Sequence, residues 1–126
     1  MRLFIFFLFL SSVTFAQNNV EDSYKRGQML YDDFCVRCHL PDGTGEAGLI
    51  PPLAGADFLQ DIQATVHSIK YGLHGPITVN DVKYNSSMAP MGLENDEIAD
   101  ITNYILNSWG NTTDVIVTET YVNGIK

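Results

Sequence analysis

Cys35-Val36-Arg37-Cys38-His39 closes one periodic apolar segment and opens a stretch rich in glycine and proline. Its spacing decides how the rest of the chain is read. Two thiols stand about one helical turn apart, and an imidazole follows the second directly. A disulfide across so small a gap would staple almost nothing of the chain, because the entropic benefit of a crosslink grows with the loop it closes. The pair is therefore chemical rather than structural. A thioredoxin-like redox pair would follow a strand and open a helix; here a helical pattern precedes and a loop follows. A zinc site needs four ligands. His67 or His74 could join Cys35, Cys38 and His39, but adjacent Cys38 and His39 fit a tetrahedron awkwardly. C-x-x-C-H is also the spacing of covalent haem attachment. Each thiol can add to one of two neighbouring vinyl groups, and His39 then lies under the iron with a ring nitrogen as ligand. The flanking pattern favours this last reading, with a single haem c as cofactor.

Upstream, Tyr24, Gly27, Tyr31 and Phe34 recur at helical spacing, so residues 21–35 read as a first helix, with residues 17–20 a frayed start. Downstream, residues 40–56 read as a long irregular loop. Long loops of this kind in small domains are usually functional or need something to wrap. Ile62, Val66, Ile69 and Leu73 mark a second amphipathic helix that ends near Gly72 or Gly75. The segment from Pro76 to Tyr84 reads as a small hairpin turning at Asn80-Asp81. A last helix carries Asn95 as its cap, Asp96 and Glu97 at its positive end, and the stripe Ile98, Ile101, Ile105, Trp109, with Gly110 as the stop. The tail admits two readings: Thr118 can cap a short helix, or Val115 and Val117 can mark an extended segment. The fold class is all-α, three to four helices with long loops and almost no sheet. The periodic apolar residues are thin for a self-sufficient core, so a cofactor is expected to complete it.

The start of the chain bears on its address. Met1-Arg2, the apolar run Leu3 to Leu10 and the small residue Ala16 have the layout of a secretory leader over residues 1–16. The run is far short of the roughly 20 apolar residues that span a bilayer, and no second stretch resembles it. Cleavage after Ala16 leaves one domain of 110 residues, 17–126, with a core over about 21–110 and a tail over 111–126. Removing Arg2 leaves six Lys and Arg against fifteen Asp and Glu, a net charge of −9. So acidic a surface argues against nucleic acid and anionic lipid as partners and favours a basic docking patch on a protein.

Taken in order, these segments resemble the class I (mitochondrial-like) bacterial cytochrome c family. The likeness runs from about Tyr24 to Gly110. It rests on Gly27 and Leu30-Tyr31 before the C-x-x-C-H motif, then Asp42-Gly43-Thr44-Gly45, Pro51-Pro52-Leu53-Ala54-Gly55, Tyr84-Asn85 with Met88, and Asn107-Ser108-Trp109-Gly110-Asn111. The motif is highly specific; the other segments gain weight from their order. The resemblance implies a cytochrome c-like fold in which the first and last helices cross, Gly27 letting Tyr104 approach. It implies a methionine as sixth iron ligand, opposite His39. Met88 stands at the expected distance after Tyr84-Asn85, and Met91 is the alternative. Family members often show Met followed directly by Pro, whereas here Ala89 separates Met88 from Pro90. Two-histidine ligation through His67 or His74 is a further possibility. The resemblance also implies a proline carbonyl, of Pro51 or else Pro52, that accepts the other ring N–H of His39. Tyr84 or Asn85 would meet a haem propionate or lie near the methionine sulfur.

With both axial positions filled, iron has no open site for substrate. The function implied is a periplasmic one-electron carrier rather than an enzyme, working with redox protein partners as a free shuttle or as an accessory subunit of a reductase, oxidase or dehydrogenase. The alternative is a haem-based enzyme or ligand sensor whose sixth ligand is displaceable.

Overall fold

The computed structural model describes residues 10–126. The leader expected over 1–16 includes residues 1–9, which lie outside the described residues. The elements follow in the order α1 (Leu10–Phe34), α2 (Val36–His39), a 3-10 turn (Asp57–Gln60), α3 (Ile62–Tyr71), β1 (Ile77–Val79), β2 (Val82–Tyr84), α4 (Asn95–Ile105) and α5 (Glu119–Gly124). The all-α class holds, with one two-stranded sheet.

α1 differs from its expected range at both ends. Residues 17–20 are helical rather than frayed, because extending an existing helix costs far less than nucleating one. At the other end the chain turns at Cys35 and continues as the separate single turn α2. α1 packs across α4, and the crossing is closed at Gly27. A methyl group built there would lie 2.7 Å from the Tyr104 Cβ and 2.7 Å from the Asp100 carbonyl carbon. Only a residue without a side chain fits between the two backbones. Beside this contact, Asp100 accepts hydrogen bonds from Ser23 Oγ (2.7 Å), Arg26 Nε (2.6 Å) and Arg26 Nη2 (3.0 Å). Tyr31, Tyr104 and Trp109 stack around one point, with ring centroids 5.0 to 5.7 Å apart.

α3 is capped by the Asp61 carboxylate, which accepts from the Ala64 amide at 2.9 Å. It stops at Gly72, whose φ of 81° is open to glycine and strained for other residues. Leu73 therefore lies just outside it. The hairpin turns through Asn80 and Asp81, both at positive φ (49° and 64°), as a two-residue type I′ turn requires. Val79 faces Val82 and Ile77 faces Tyr84 across it. The turn is tied to the 3-10 segment by a reciprocal pair: Asp57 N donates to Asn80 Oδ1 (3.0 Å) and Asn80 N to Asp57 Oδ1 (2.8 Å).

α4 corrects two expectations. Glu94, not Asn95, is the cap residue, because the Glu97 carboxylate reaches back to accept the Glu94 amide at 2.9 Å. The helix also ends at Ile105, so Trp109 is not part of its stripe. Asn107 Nδ2 and Ser108 Oγ take the carbonyls of Asn103 and Tyr104 (2.9 and 2.6 Å), closing the helix end. Trp109, at φ 54°, swings out to donate its ring N–H to the Pro41 carbonyl at 2.9 Å.

The tail resolves as helix α5, with Thr118 Oγ1 accepting from the Tyr121 amide at 3.2 Å. It is locked to α4 through the buried Asn103. That amide donates to the Val117 carbonyl (2.9 Å) and accepts from the Val117 N–H (2.8 Å), pairing one backbone residue as a strand would. Tyr31, Val66, Ile101 and Val122 have no exposure at all, so α1, α3, α4 and α5 share one core.

Candidate functional site

The turn at Cys35 and the single turn of α2 place the motif on the wall of a cleft of about 920 Å³, mouth included. Cys35 is half-buried, Cys38 exposed and His39 buried. All of Cys35, Cys38 and His39 line the cleft, and so do Pro51, Pro52, Met88 and Met91. Phe58, Leu59, Ile69, Ile77, Val79, Leu93 and Ile105 are among its other wall residues, so the 3-10 turn, α3, the hairpin and α4 all turn apolar side chains into it. Two hydroxyl residues, Thr65 and Ser68, also line it. Their oxygens are engaged by the carbonyls of Asp61 (2.9 Å) and Ala64 (2.7 Å), which leaves their carbon faces for the cleft.

His39 is oriented by its backbone and by its ring. The His39 carbonyl accepts from Gly45 N at 3.0 Å. Its Nδ1–H donates to the Pro51 carbonyl at 3.1 Å, so Pro51 rather than Pro52 makes this bond. The bond fixes the tautomer and leaves Nε2 as the nitrogen with a free lone pair. Burial lowers the His39 pKa below its ordinary value, against the opposing pull of the Pro51 carbonyl. Burial thereby favours the neutral imidazole, the form that can bind a metal. After His39 the chain bends sharply at Leu40, a leucine at φ 66°. That uncommon backbone is braced by the Tyr31 hydroxyl, which donates to the Leu40 carbonyl at 2.6 Å. The loop beyond folds back on itself, the Gly43 carbonyl accepting from Leu53 N (2.7 Å) and Ala54 N (2.9 Å). This return brings Pro51 over the imidazole. Asn111 secures it by donating to the Leu53 carbonyl (2.9 Å) and accepting from Gly55 N (2.8 Å).

Met88 is held as firmly. It pairs with Leu73 in an isolated antiparallel bridge, Leu73 N to Met88 O at 2.8 Å and Met88 N to Leu73 O at 2.9 Å. Ser86 Oγ, donating to the Leu49 carbonyl at 2.7 Å, ties the same loop to the one that carries Pro51. Met91 sits further along, 39% exposed, ahead of the left-handed Gly92.

The remaining expected residues lie elsewhere. Tyr84 is buried in the core and Asn85 is exposed, and neither lines the cleft. His67 and His74 are exposed and also outside it. Among the described residues no three His, Cys, Asp or Glu side chains are gathered to hold a metal ion, so the zinc reading gains no support. The thioredoxin-like reading fails on context, because a helix rather than a strand leads into Cys35. It fails on chemistry too: burial and the neighbouring Cys38 push the Cys35 thiol up to about 11, the reverse of the depressed value that activates a redox thiol.

The donor set and the cleft fit a haem. The walls are apolar, two unpaired thiols stand at one edge, and a buried, oriented imidazole lines the same space. The Leu73–Met88 bridge and the Ser86–Leu49 tie have no local signature in the sequence; both join segments that only the fold brings together.

Comparison with known proteins agrees. The family model described as cytochrome c matches residues 24–109. A cytochrome c-552 of Thermus thermophilus is 34% identical over 120 residues, covering 90% of this chain and 76% of the relative. A second Thermus thermophilus cytochrome c-552 is 38% identical over 87 residues, 64% of this chain and 66% of the relative. The gluconate 2-dehydrogenase cytochrome c subunit of Pantoea cypripedii is 30% identical over 77% of this chain, which spans only 23% of that subunit. Since the matched region takes in the Cys35–His39 wall, the oriented imidazole and the α1–α4 crossing alike, the chain belongs to the cytochrome c family as a class I bacterial member, an electron-transfer protein holding one haem c covalently.

Proposed function

We propose that the protein is an exported, periplasmic one-electron carrier with His39 and Met88 as the axial ligands. The observation that carries this reading is the shared cleft. An imidazole oriented by Pro51 and a methionine fixed by Leu73 line the same apolar space. Bound haem supplies the ferric–ferrous couple, and a histidine–methionine pair raises its potential. Cys35 and Cys38 hold the group through thioether bonds. Pro51 keeps His39 in the tautomer that presents Nε2. The Leu73–Met88 bridge fixes the backbone from which the Met88 thioether would reach the iron, and the apolar walls would exclude water. With two donors fixed, little has to move when an electron arrives or leaves.

The test is an absorption spectrum of the protein produced with a haem-maturation system, oxidised and reduced. The oxidised parent is expected to show the weak far-red band of sulfur-to-iron ligation. Met88→Ala should lose that band and lower the potential by on the order of 0.1 V, a fraction of the ≈ 0.8 V that axial ligands span. Met91→Ala should retain both. The opposite pattern would transfer the role to Met91. A parent without the band would favour two-histidine ligation or an open iron, and with the latter the ligand-sensor or enzyme reading.

The leader over residues 1–16 supports export, and among the described residues no helix is long and apolar enough to cross a membrane. The cytochrome c subunits among the relatives support an accessory-subunit role beside that of a free shuttle. The charge of −9 on residues 17–126 favours a redox partner with a basic patch. Transfer rates should then fall as salt is raised from low ionic strength. A rate indifferent to salt removes the electrostatic component.

A further inference from the structure

Residues 110–126 lie beyond the family match, yet they grip the end of α3. Lys70 Nζ donates to the carbonyls of Val122 (2.9 Å) and Ile125 (3.2 Å), and the Tyr71 hydroxyl donates to the Ile125 carbonyl at 3.0 Å. These carbonyls lie at the end of α5, where the Val122 carbonyl also accepts the Ile125 amide at 3.2 Å and the negative end of the helix favours a cation. The ammonium also lies 5.2 Å from the centre of the Tyr71 ring. Lys70 and Tyr71 are the last two residues of α3. The next residue, Gly72, lies against the Met88 loop: a Cβ there would stand 2.6 Å from the Met88 carbonyl oxygen and 2.9 Å from Pro90 Cδ. The residue after it, Leu73, makes the two-bond bridge to Met88. From the clasp to the bridge is therefore a run of four residues with no slack.

We propose that α5 is a positioning element for the sixth ligand: through Lys70 and Tyr71 it fixes the Gly72-Leu73 strut to which Met88 is bonded, and so keeps the methionine in place. The proposal rests on the assignment of Met88 as ligand. Helix ends fray unless something holds them. The start of α3 is held by the Asp61 cap, and its finish by this clasp. α5 can serve as the fixed side because it is itself anchored, through the fully buried Val122 and through Asn103 at Val117. A loose clasp lets the last turn of α3 open, and Leu73 moves with it. Lys70 and Tyr71 do not line the cleft, so they act through the strut alone.

The experiment compares the haem-loaded parent with Lys70→Met, Tyr71→Phe, the double variant and Lys70→Arg. Imidazole is titrated into each ferric protein and the far-red band is followed, with far-ultraviolet circular dichroism recorded alongside. The double variant should bind imidazole about tenfold more tightly, the scale set by losing charge-assisted hydrogen bonds, with no loss of helix beyond the last turn of α3. Lys70→Arg, which keeps the cation, should stay near the parent. Equal imidazole affinity in the parent and the double variant overturns the proposal. If the lysine variants fail to accumulate, Tyr71→Phe alone removes one bond of the clasp and must still tighten imidazole binding. Met88→Ala is measured beside them. Should it keep the far-red band, the ligand assignment itself fails, an outcome distinct from a clasp without effect.

Discussion

Gly27→Val is expected to lower the stability of the haem-loaded protein by about 3 kcal/mol, the upper end of the usual overpacking cost. The position sits where α1 and α4 cross. Even a single added carbon would stand 2.7 Å from both the Tyr104 Cβ and the Asp100 carbonyl carbon. One of those atoms is backbone and the other is bonded to it, so neither can rotate away. Valine adds two more carbons, and the helices must part. Separation stretches the bonds that Ser23 and Arg26 make to Asp100 and opens the Tyr31–Tyr104 contact. The helix-propensity advantage of valine over glycine offsets only a few tenths of a kcal/mol. The denaturation midpoint of the holoprotein measures the effect. Gly124→Ala is the control, since a Cβ there meets nothing within 4 Å; it should be neutral or slightly stabilising. Equal midpoints for Gly27→Val and the parent would mean that the crossing is loose.

The second large effect is expected from Cys35→Ala combined with Cys38→Ala. This variant should carry no covalent haem, and the chain should lose cooperative unfolding. The reason lies in how the cleft is built. Its walls come from α2, the loop at Pro51 to Leu53, the 3-10 turn, α3, the hairpin, the Met88 loop and α4. Each turns into it apolar surface that the haem would cover. A chain of this size has little margin to leave such surface wet. Haem retention after denaturing extraction reads the covalent bond, and a thermal melt followed by circular dichroism reads cooperativity. A sharp melt with native helix content in the haem-free chain would show instead that the core stands alone.

Much of this was legible in the sequence because the signals were local. The C-x-x-C-H spacing, the apolar periodicity of α3 and α4, the Asn80-Asp81 turn and the Thr118 cap each depend on residues a few positions apart. The close approach at Gly27 and the carbonyl over His39 followed from the family resemblance, and the structure shows both contacts. Departures arose where distant groups compete with local preference. Trp109 fits the helical stripe by spacing, but the Pro41 carbonyl and the rings of Tyr31 and Tyr104 draw it out of the helix. Asn95 is a good cap by type, yet Glu97 reaches past it to Glu94. The bridge from Leu73 to Met88 and the pairing of Asn103 with Val117 could not be read at all, because neither partner carries a mark of the other.

The bonds at the α1–α4 crossing also set an order of assembly. Ser23 and Arg26 meet Asp100 across 77 and 74 residues, and Asn103 meets Ser23 across 80. A chain made from its N-terminus therefore cannot close this crossing until most of its length has emerged, and contacts this far apart in sequence form slowly. Throughout that interval Cys35, Cys38 and His39 are already present while the elements that will wall them in are not. The long-range contacts that close the crossing are thus expected to form only after the Cys35–His39 segment is already in place.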